Sequence, residues 1–480
     1  MEKEKKLGLL PLTMLVIGSL IGGGIFDLMQ NMSSRAGLVP MLIAWVITAI
    51  GMGTFVLSFQ NLSEKRPDLT AGIFSYAKEG FGNFMGFNSA WGYWLSAWLG
   101  NVAYAALLFS SLGYFFKFFG NGNNIISIIG ASIVIWVVHF LILRGVNTAA
   151  FINTIVTFAK LVPVIIFLIS ALLAFKFNIF SLDIWGNGLH QSIFNQVNST
   201  MKTAVWVFIG IEGAVVFSGR AKKHSDIGKA SILALFTMIS LYVLISVLSL
   251  GIMSRPELAN LKTPAMAYVL EKAVGHWGAI LVNLGVIISV FGAILAWTLF
   301  AAELPYQAAK EGAFPKFFAK ENKNKAPINS LLVTNLCVQA FLITFLFTQS
   351  AYRFGFALAS SAILIPYAFT ALYQLQFTLR EDKSTPGHQK NLIIGILATI
   401  YAVYLIYAGG FDYLLLTMIA YTLGMILYIK MRKDDKLPIF VGYEKISAIV
   451  ILALCLLCII ELCIIEIMTG QIDIAAILAG

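Results

Sequence analysis

The chain alternates long apolar blocks with short polar joints from near its beginning to near its end. A helix of about 20 mostly apolar residues crosses a bilayer. Thirteen stretches read as such spans: 9–31, 38–60, 82–116, 125–143, 149–175, 200–219, 228–252, 276–309, 328–348, 354–379, 391–409, 412–430 and 446–468. The blocks are apolar on every face, so they lack the two-residue alternation of a membrane β-strand. No polar segment is long enough to fold as a soluble domain. The first apolar run is too long for a signal-peptide core, and no small-residue cleavage site precedes the next span, so it reads as a retained transmembrane helix. The expected fold class is therefore all-α, integral membrane and multi-pass. Glu461 and Glu466 weigh against the last span, because a carboxylate facing lipid is costly. Twelve spans is the alternative.

Composition narrows the class further. Of 480 residues, 59% are hydrophobic and 12% charged, whereas roughly a quarter of a soluble domain is charged. Placing the N-terminus in the cytoplasm puts 24 of the 33 Lys and Arg residues in inside loops, from the N-terminal lysines to Lys445. That bias orients the chain N-terminus inside, in a cell membrane. The net charge of +10 then reflects topology and attraction to anionic lipid, and gives no support to nucleic-acid binding. Cys455-x-x-Cys458 has the spacing of a redox pair, but a lipid-embedded helix suits small apolar filler better. The five histidines are scattered, and no HExxH, nucleophile elbow or P-loop occurs, so neither an enzyme nor a metal or other cofactor is expected.

The most informative segment is Gly18-Ser19-Leu20-Ile21-Gly22-Gly23-Gly24-Ile25-Phe26, in the middle of the first span. Contiguous glycines remove the side chains that stiffen a helix, and bare backbone at mid-membrane is tolerated where it lines a cavity. A close helix–helix contact through small residues is the other reading. The sixth span carries a second interruption at Trp206-Val-Phe-Ile-Gly210-Ile-Glu212-Gly213, now with a carboxylate. Two interrupted helices, each opening a five-helix block, point to a transporter binding site. Amides at a half-helix start suit a carboxylate, and freed carbonyls suit an ammonium. Together they suit an amino acid.

Four motifs in order carry a resemblance. They are Gly-Ser-x-Ile-Gly-x-Gly-Ile-Phe in the first span, Tyr93-Trp94-Leu95-Ser96-Ala97-Trp98-Leu99-Gly100-Asn101 in the third, Trp206 with Phe-Ile-Gly-Ile-Glu212 in the sixth, and Trp297-Thr-Leu in the eighth. From about Gly8 to Tyr428 the sequence resembles the amino acid–polyamine–organocation superfamily, in its branch of basic amino acid and polyamine antiporters. The resemblance implies a five-plus-five inverted repeat with two or three peripheral helices. Its expected divisions are 1–175, 199–380 and 391–468. It implies exchange of a cationic amino acid for a related amine or amino acid by alternating access. A proton-coupled symporter or uniporter of broader range is the alternative. Relatives of this kind often form homodimers through their last helices.

The same resemblance implies residue roles. Gly22, Gly23 and Gly24 would offer amides to a substrate carboxylate, and the carbonyls of Leu20, Trp206 and Ile209 would receive the α-ammonium. Trp297 would stack on a cationic side chain. Asn101, with the backbone of Ser96 and Ala97, would bind the distal cationic group. Tyr93, Trp98 and Trp206 would be gating aromatics. Glu212 would act in gating or pH response, or else hydrogen-bond a neighbouring helix. Lys160, deep in the fifth span, would stand beside the first break where sodium-coupled relatives of the fold hold a cation, or else snorkel to the interface. Asp27 departs from the pattern, which has an uncharged residue there. It would attract a second positive charge of the substrate, cap the half-helix that follows it, or pair with Arg35. Glu303 is a further carboxylate close to the same pathway.

Overall fold

The computed structural model describes residues 6–69, 72–344, 346 and 358–469, with the side chains of 412 and 462–469 left aside. The start of the expected 354–379 span and the Glu466 side chain lie outside the described residues. Helices form wherever the apolar blocks run without proline or glycine clusters, because lipid offers the backbone no hydrogen-bond partners and a helix satisfies its own. Among the described residues, ten helices are long and apolar enough to cross a membrane.

The first block is α1 (Leu9–Leu20), an irregular stretch, and α2 (Leu28–Ser33). Next come α3 (Leu38–Lys65), a short α4 (Ile73–Phe81), α5 (Asn83–Phe115), α6 (Ile125–Leu143) and α7 (Val146–Leu173). After a four-residue α8 (Phe177–Phe180), the second broken span is α9 (Ile193–Phe208) and α10 (Gly213–Val216). It is followed by α11 (His224–Ser249), the short α12 (Arg255–Ala259) and α13 (Ala265–Val274), then α14 (His276–Lys310), α15 (Ile328–Thr344) and α16 (Leu364–Arg380). The chain closes with α17 (His388–Gly409), α18 (Phe411–Asp434) and α19 (Glu444–Thr469). Every expected span meets a helix or a broken pair. The short helices α4, α12 and α13 were not foreseen, because ten residues or fewer do not register as an apolar span.

One order of elements occurs twice. A broken helix is followed by a long helix, and then by a short helix joined through one glycine to the longest helix of its half. The joints are Gly82 (φ +95°) and Gly275 (φ +92°). Helices α5 and α14 contain 33 and 35 residues. At 1.5 Å per residue each is about 50 Å long, against roughly 30 Å of hydrocarbon, so both tilt or project from it. They pack along each other at the centre of the molecule. The outer helices are reversed in polarity relative to a soluble protein: on α7, Phe151, Ile155, Phe158 and Val162 are exposed, whereas Asn153, Thr157 and Lys160 are buried. Lipid rewards the first set, and the first break uses the second.

Candidate functional site

Helix α1 stops at Leu20 because Gly22–Gly24 supply no side chains to hold a further turn, and α14, α11 and α7 compete for the backbone there. The Lys160 ammonium donates to the carbonyls of Gly18 (2.5 Å) and Ile21 (2.8 Å). Ser289 Oγ donates to Ile21 O (2.9 Å), and Trp297 Nε1 to Ser19 O (3.2 Å). The Tyr242 hydroxyl lies 3.0 Å from Leu20 O and 2.8 Å from Val207 O, so one proton serves both breaks in turn. The freed carbonyls of the first break are thus satisfied by side chains. Its amides are not: Gly22, Gly23 and Gly24 donate to no acceptor among the described residues.

Close packing explains why these positions are glycine. A Cβ on Gly22 would fall 2.4 Å from the Tyr104 hydroxyl, one on Gly23 2.0 Å from Leu107, and one on Gly24 2.8 Å from Trp206 Nε1. Real Cβ atoms do not come so close to neighbours.

The second break is made differently. Gly210 adopts φ +112°, a region L side chains rarely enter, and a Cβ there would also strike Ser19. Ser19 Oγ reaches Gly210 O at 3.3 Å, tying one break to the other. Glu212 is fully buried. Its Oε2 accepts from the Gly210 amide (3.1 Å) and from the Tyr367 hydroxyl, and its Oε1 has no partner among the described residues. The buried Tyr93 hydroxyl is likewise unpartnered there, and its ring lies 6.4 Å from that of Trp297. One turn-spaced face of α5 therefore presents Tyr93, Ala97, Asn101 and Tyr104 along the pair of breaks. Asn101 Nδ2 donates to Thr298 Oγ1 (3.0 Å), while its Oδ1 is unpartnered among the described residues. Trp206 packs at 6.3 Å from Tyr104, and Trp98 and Trp206 border the same apolar cluster around Leu95, Leu99, Ala359 and Ala362.

Most residues singled out from the sequence are gathered here: Leu20, Gly22, Gly23, Gly24, Tyr93, Ala97, Asn101, Lys160, Trp206, Ile209, Glu212 and Trp297. Ser96 is buried on α5 beside them, and Trp98 stands at the rim. Two carbonyls expected to take an ammonium already have donors, Leu20 from Tyr242 and Trp206 from the Ile209 amide (3.3 Å). Lys160 does not snorkel. Asp27 neither caps α2 nor meets Arg35: its Oδ1 accepts from Ala265 N (2.9 Å), and Arg35 donates to Ser199 O (2.8 Å). Glu303, the further carboxylate of α14, is paired. It forms a two-point ion pair with Arg220, at 2.7 and 2.9 Å. Sequence reasoning missed Tyr242, Tyr367, Ser289 and Thr298. Tyr242 and Tyr367 had a usable signal, since each is a tyrosine in an apolar span away from the interface where tyrosines concentrate.

Residues 7–412 match the amino acid permease family. An arginine/ornithine antiporter of Pseudomonas aeruginosa is 50% identical over 466 residues, covering 94% of this chain and 97% of that protein. An arginine/ornithine antiporter of Latilactobacillus sakei is 43% identical, covering 90% and 92%. An arginine/agmatine antiporter of Chlamydia caviae is 41% identical, covering 94% and 96%.

Proposed function

The chain belongs to the amino acid permease family, and on that premise we propose that it is a secondary active antiporter. It exchanges a cationic amino acid for a related amine or amino acid by alternating access. The observation that carries this reading is the asymmetry of the first break, where the carbonyls have protein donors and three successive amides have no acceptor among the described residues. A row of free amides at a half-helix boundary is a receptor for an anion. A carboxylate held there sets the rest of an amino acid against Trp206, Trp297 and the α5 face.

In this reading Gly22, Gly23 and Gly24 hold the carboxylate, and the open Ile209 carbonyl, aided by a second lone pair on Leu20 and Trp206, takes the α-ammonium. Trp297 stacks on the cationic side chain, a contact of about 2 kcal/mol when water is excluded. Asn101 Oδ1, with the backbone of Ser96 and Ala97, accepts from its far end. Tyr93 and Glu212 close the path on one side of the substrate, and Trp98 and Trp206 on the other. Lys160 supplies the fixed positive charge beside the break, and transport is then independent of sodium.

The repeated order of elements supports two inverted five-helix repeats, 1–175 and 199–380, with 391–468 peripheral. The N-terminus lies in the cytoplasm and the protein in the cell membrane. A homodimer through the last helices would leave the site within one chain, since all of its residues come from α1–α16.

Counterflow tests the function. Liposomes carrying the purified protein and loaded with arginine or ornithine are expected to take up labelled arginine, while empty liposomes are not. Equal uptake into empty liposomes with an imposed proton gradient would replace the exchanger with a symporter. Competition by ornithine, agmatine, putrescine, lysine, histidine and histamine then names the pair.

A further inference from the structure

Two buried asparagines show what such a side chain does by default in these helices. Asn88 on α5 and Asn283 on α14 turn their amide nitrogens onto the carbonyl four residues earlier, Phe84 O and Ala279 O, both at 2.9 Å. That carbonyl lies within reach of a short amide without any help from a neighbouring helix. Asn101 departs from the default. Its Nδ2 crosses to α14 and donates to Thr298 Oγ1 at 3.0 Å. The carbonyl it would otherwise meet belongs to Ala97.

Thr298 makes the matching departure. Thr48, Thr157 and Thr370 each donate their hydroxyls to the carbonyl four residues earlier, as helical threonines do. Thr298 makes no such bond among the described residues. It and Asn101 are each 1% exposed, so bulk water does not replace the contact. The preceding residue, Trp297, has its indole held on Ser19 O at 3.2 Å. One turn of α14 thus serves the site twice, Trp297 against the first break and Thr298 against α5. Two acceptors are left open as a result. Asn101 Oδ1 is buried without a partner among the described residues, and Ala97 O is spared the side-chain amide.

We propose that Thr298 is a positioning residue for substrate selection: by holding the Asn101 amide nitrogen away from Ala97 O, it keeps both acceptors open to the cationic end of the substrate. The inference rests on the antiport reading, in which Asn101 and the Ala97 backbone meet that end. Paired acceptors favour a guanidinium or ammonium, which offers only charged donors, over a neutral ureido group whose own carbonyl oxygen would face them. Without the Thr298 hydroxyl, Asn101 returns to its default. Ala97 O is then filled and Oδ1 swings out of line.

Displacement of labelled arginine from the purified protein by arginine, ornithine and citrulline measures selectivity apart from transport. Citrulline has the length of arginine, with an oxygen in place of one guanidinium nitrogen and no side-chain charge. Thr298→Val keeps the shape of the side chain and removes the hydroxyl. It is expected to weaken arginine and ornithine about tenfold, the size of one hydrogen bond to a charged group, and citrulline by no more than about twofold. Thr298→Ala removes the same hydroxyl and should shift the ratio alike, while Thr298→Ser should recover most of the loss. Adding Thr298→Val to Asn101→Ala should cost nothing further, because the threonine acts through the amide.

Equal weakening of arginine and citrulline, or a further loss in the double variant, would make Thr298 a packing residue and overturn the inference. Unchanged selectivity in Thr298→Val and Thr298→Ala would overturn it as well. The expected shift in binding, without counterflow by the wild-type protein, would uphold the role of Thr298 and count against the antiport reading instead.

Discussion

At Gly22 the absent side chain is a packing requirement, and its consequence is specific. The Tyr104 ring carbons would lie 2.7 Å from a new Cβ, as well as the hydroxyl at 2.4 Å, and the ring is itself buried with Trp206 beside it. Overpacking of this kind costs about 1–3 kcal/mol, so Gly22→Ala is expected to slow exchange about tenfold at equal reconstituted amounts. Tyr104→Leu in the same chain should recover part of the loss. Wild-type exchange by Gly22→Ala alone would refute the packing account. Lys160 poses the opposite problem, a buried charge that serves the backbone. Lys160→Met keeps the aliphatic stem and leaves the Gly18 and Ile21 carbonyls one donor short. An unmet buried acceptor costs about 1–3 kcal/mol, so the purified variant should melt roughly 1–3 °C lower. With the charge present, exchange should proceed equally in sodium and choline media, and a strict sodium requirement would contradict the role given to Lys160. The glycines and Lys160 were legible in the sequence because each is anomalous within its own helix. Ser289 and Thr298 were not, since a small hydroxyl in an apolar span looks ordinary until the distant group it serves is known.

On the scale of elements, the ends of both broken spans meet on the N-terminal side of the molecule. Leu7, just before α1, exchanges backbone hydrogen bonds with Arg220 O and Lys222 N (2.8 and 2.7 Å), and Arg220, just after α10, grips Glu303 of α14. The side chains of this pair are 11% and 1% exposed. Removing one partner strands the other charge at a cost of about 3–5 kcal/mol. Glu303→Ala is therefore expected to favour opening on this side, and a cysteine at the buried position Ser218 should react with a maleimide about a hundredfold faster. Removing both charges should restore part of the protection, because no unpaired ion remains. If the single and double variants label alike, the pair is not a latch. This arrangement explains why the partner of Glu303 was not legible in the sequence. The distance of Glu303 from Trp297 along α14 was evident, but its partner comes from the far end of another broken helix. Likewise α12 and α13 are too short for a hydropathy scan, yet they are bonded to α2, through Asp27 Oδ1 from Ala265 N, Gln30 Nε2 to Ala259 O and Arg255 Nη1 to Ser33 O. The long helices were legible because apolar length alone dictates them. The short ones depend on what they cover.

At the scale of the whole molecule, charge and geometry divide the chain into the same two sides. The side that carries Leu7, Arg220 and Glu303 also carries the ion pairs Lys65–Glu381 (2.5 Å) and Arg66–Asp68 (2.7 Å) and the lysine-rich joint between α14 and α15. The opposite side carries α2, α12 and α13, with Arg255–Asp183 (2.5 Å) and Lys272–Glu257 (2.8 Å). On that side Glu257 is held at a pKa of about 2, first by the Lys272 ammonium and then by Ser254. It therefore remains charged at any pH near neutrality, and the Lys272 contact would weaken only as pH falls below its usual range toward 2. A basic rim belongs on the cytoplasmic face because the inner leaflet is anionic and positively charged loops resist translocation. Single cysteines at Lys325 and Lys272 decide the orientation, since both side chains are well exposed, at 61% and 44%. In intact cells an impermeant maleimide is expected to label position 272 and spare position 325, and in inverted vesicles the pattern should reverse. Labelling of position 325 from outside would turn the molecule over. The α12–α13 segment would then face the cytoplasm and the Arg220–Glu303 pair the exterior, so the direction assigned to either end of the pathway depends on this one measurement.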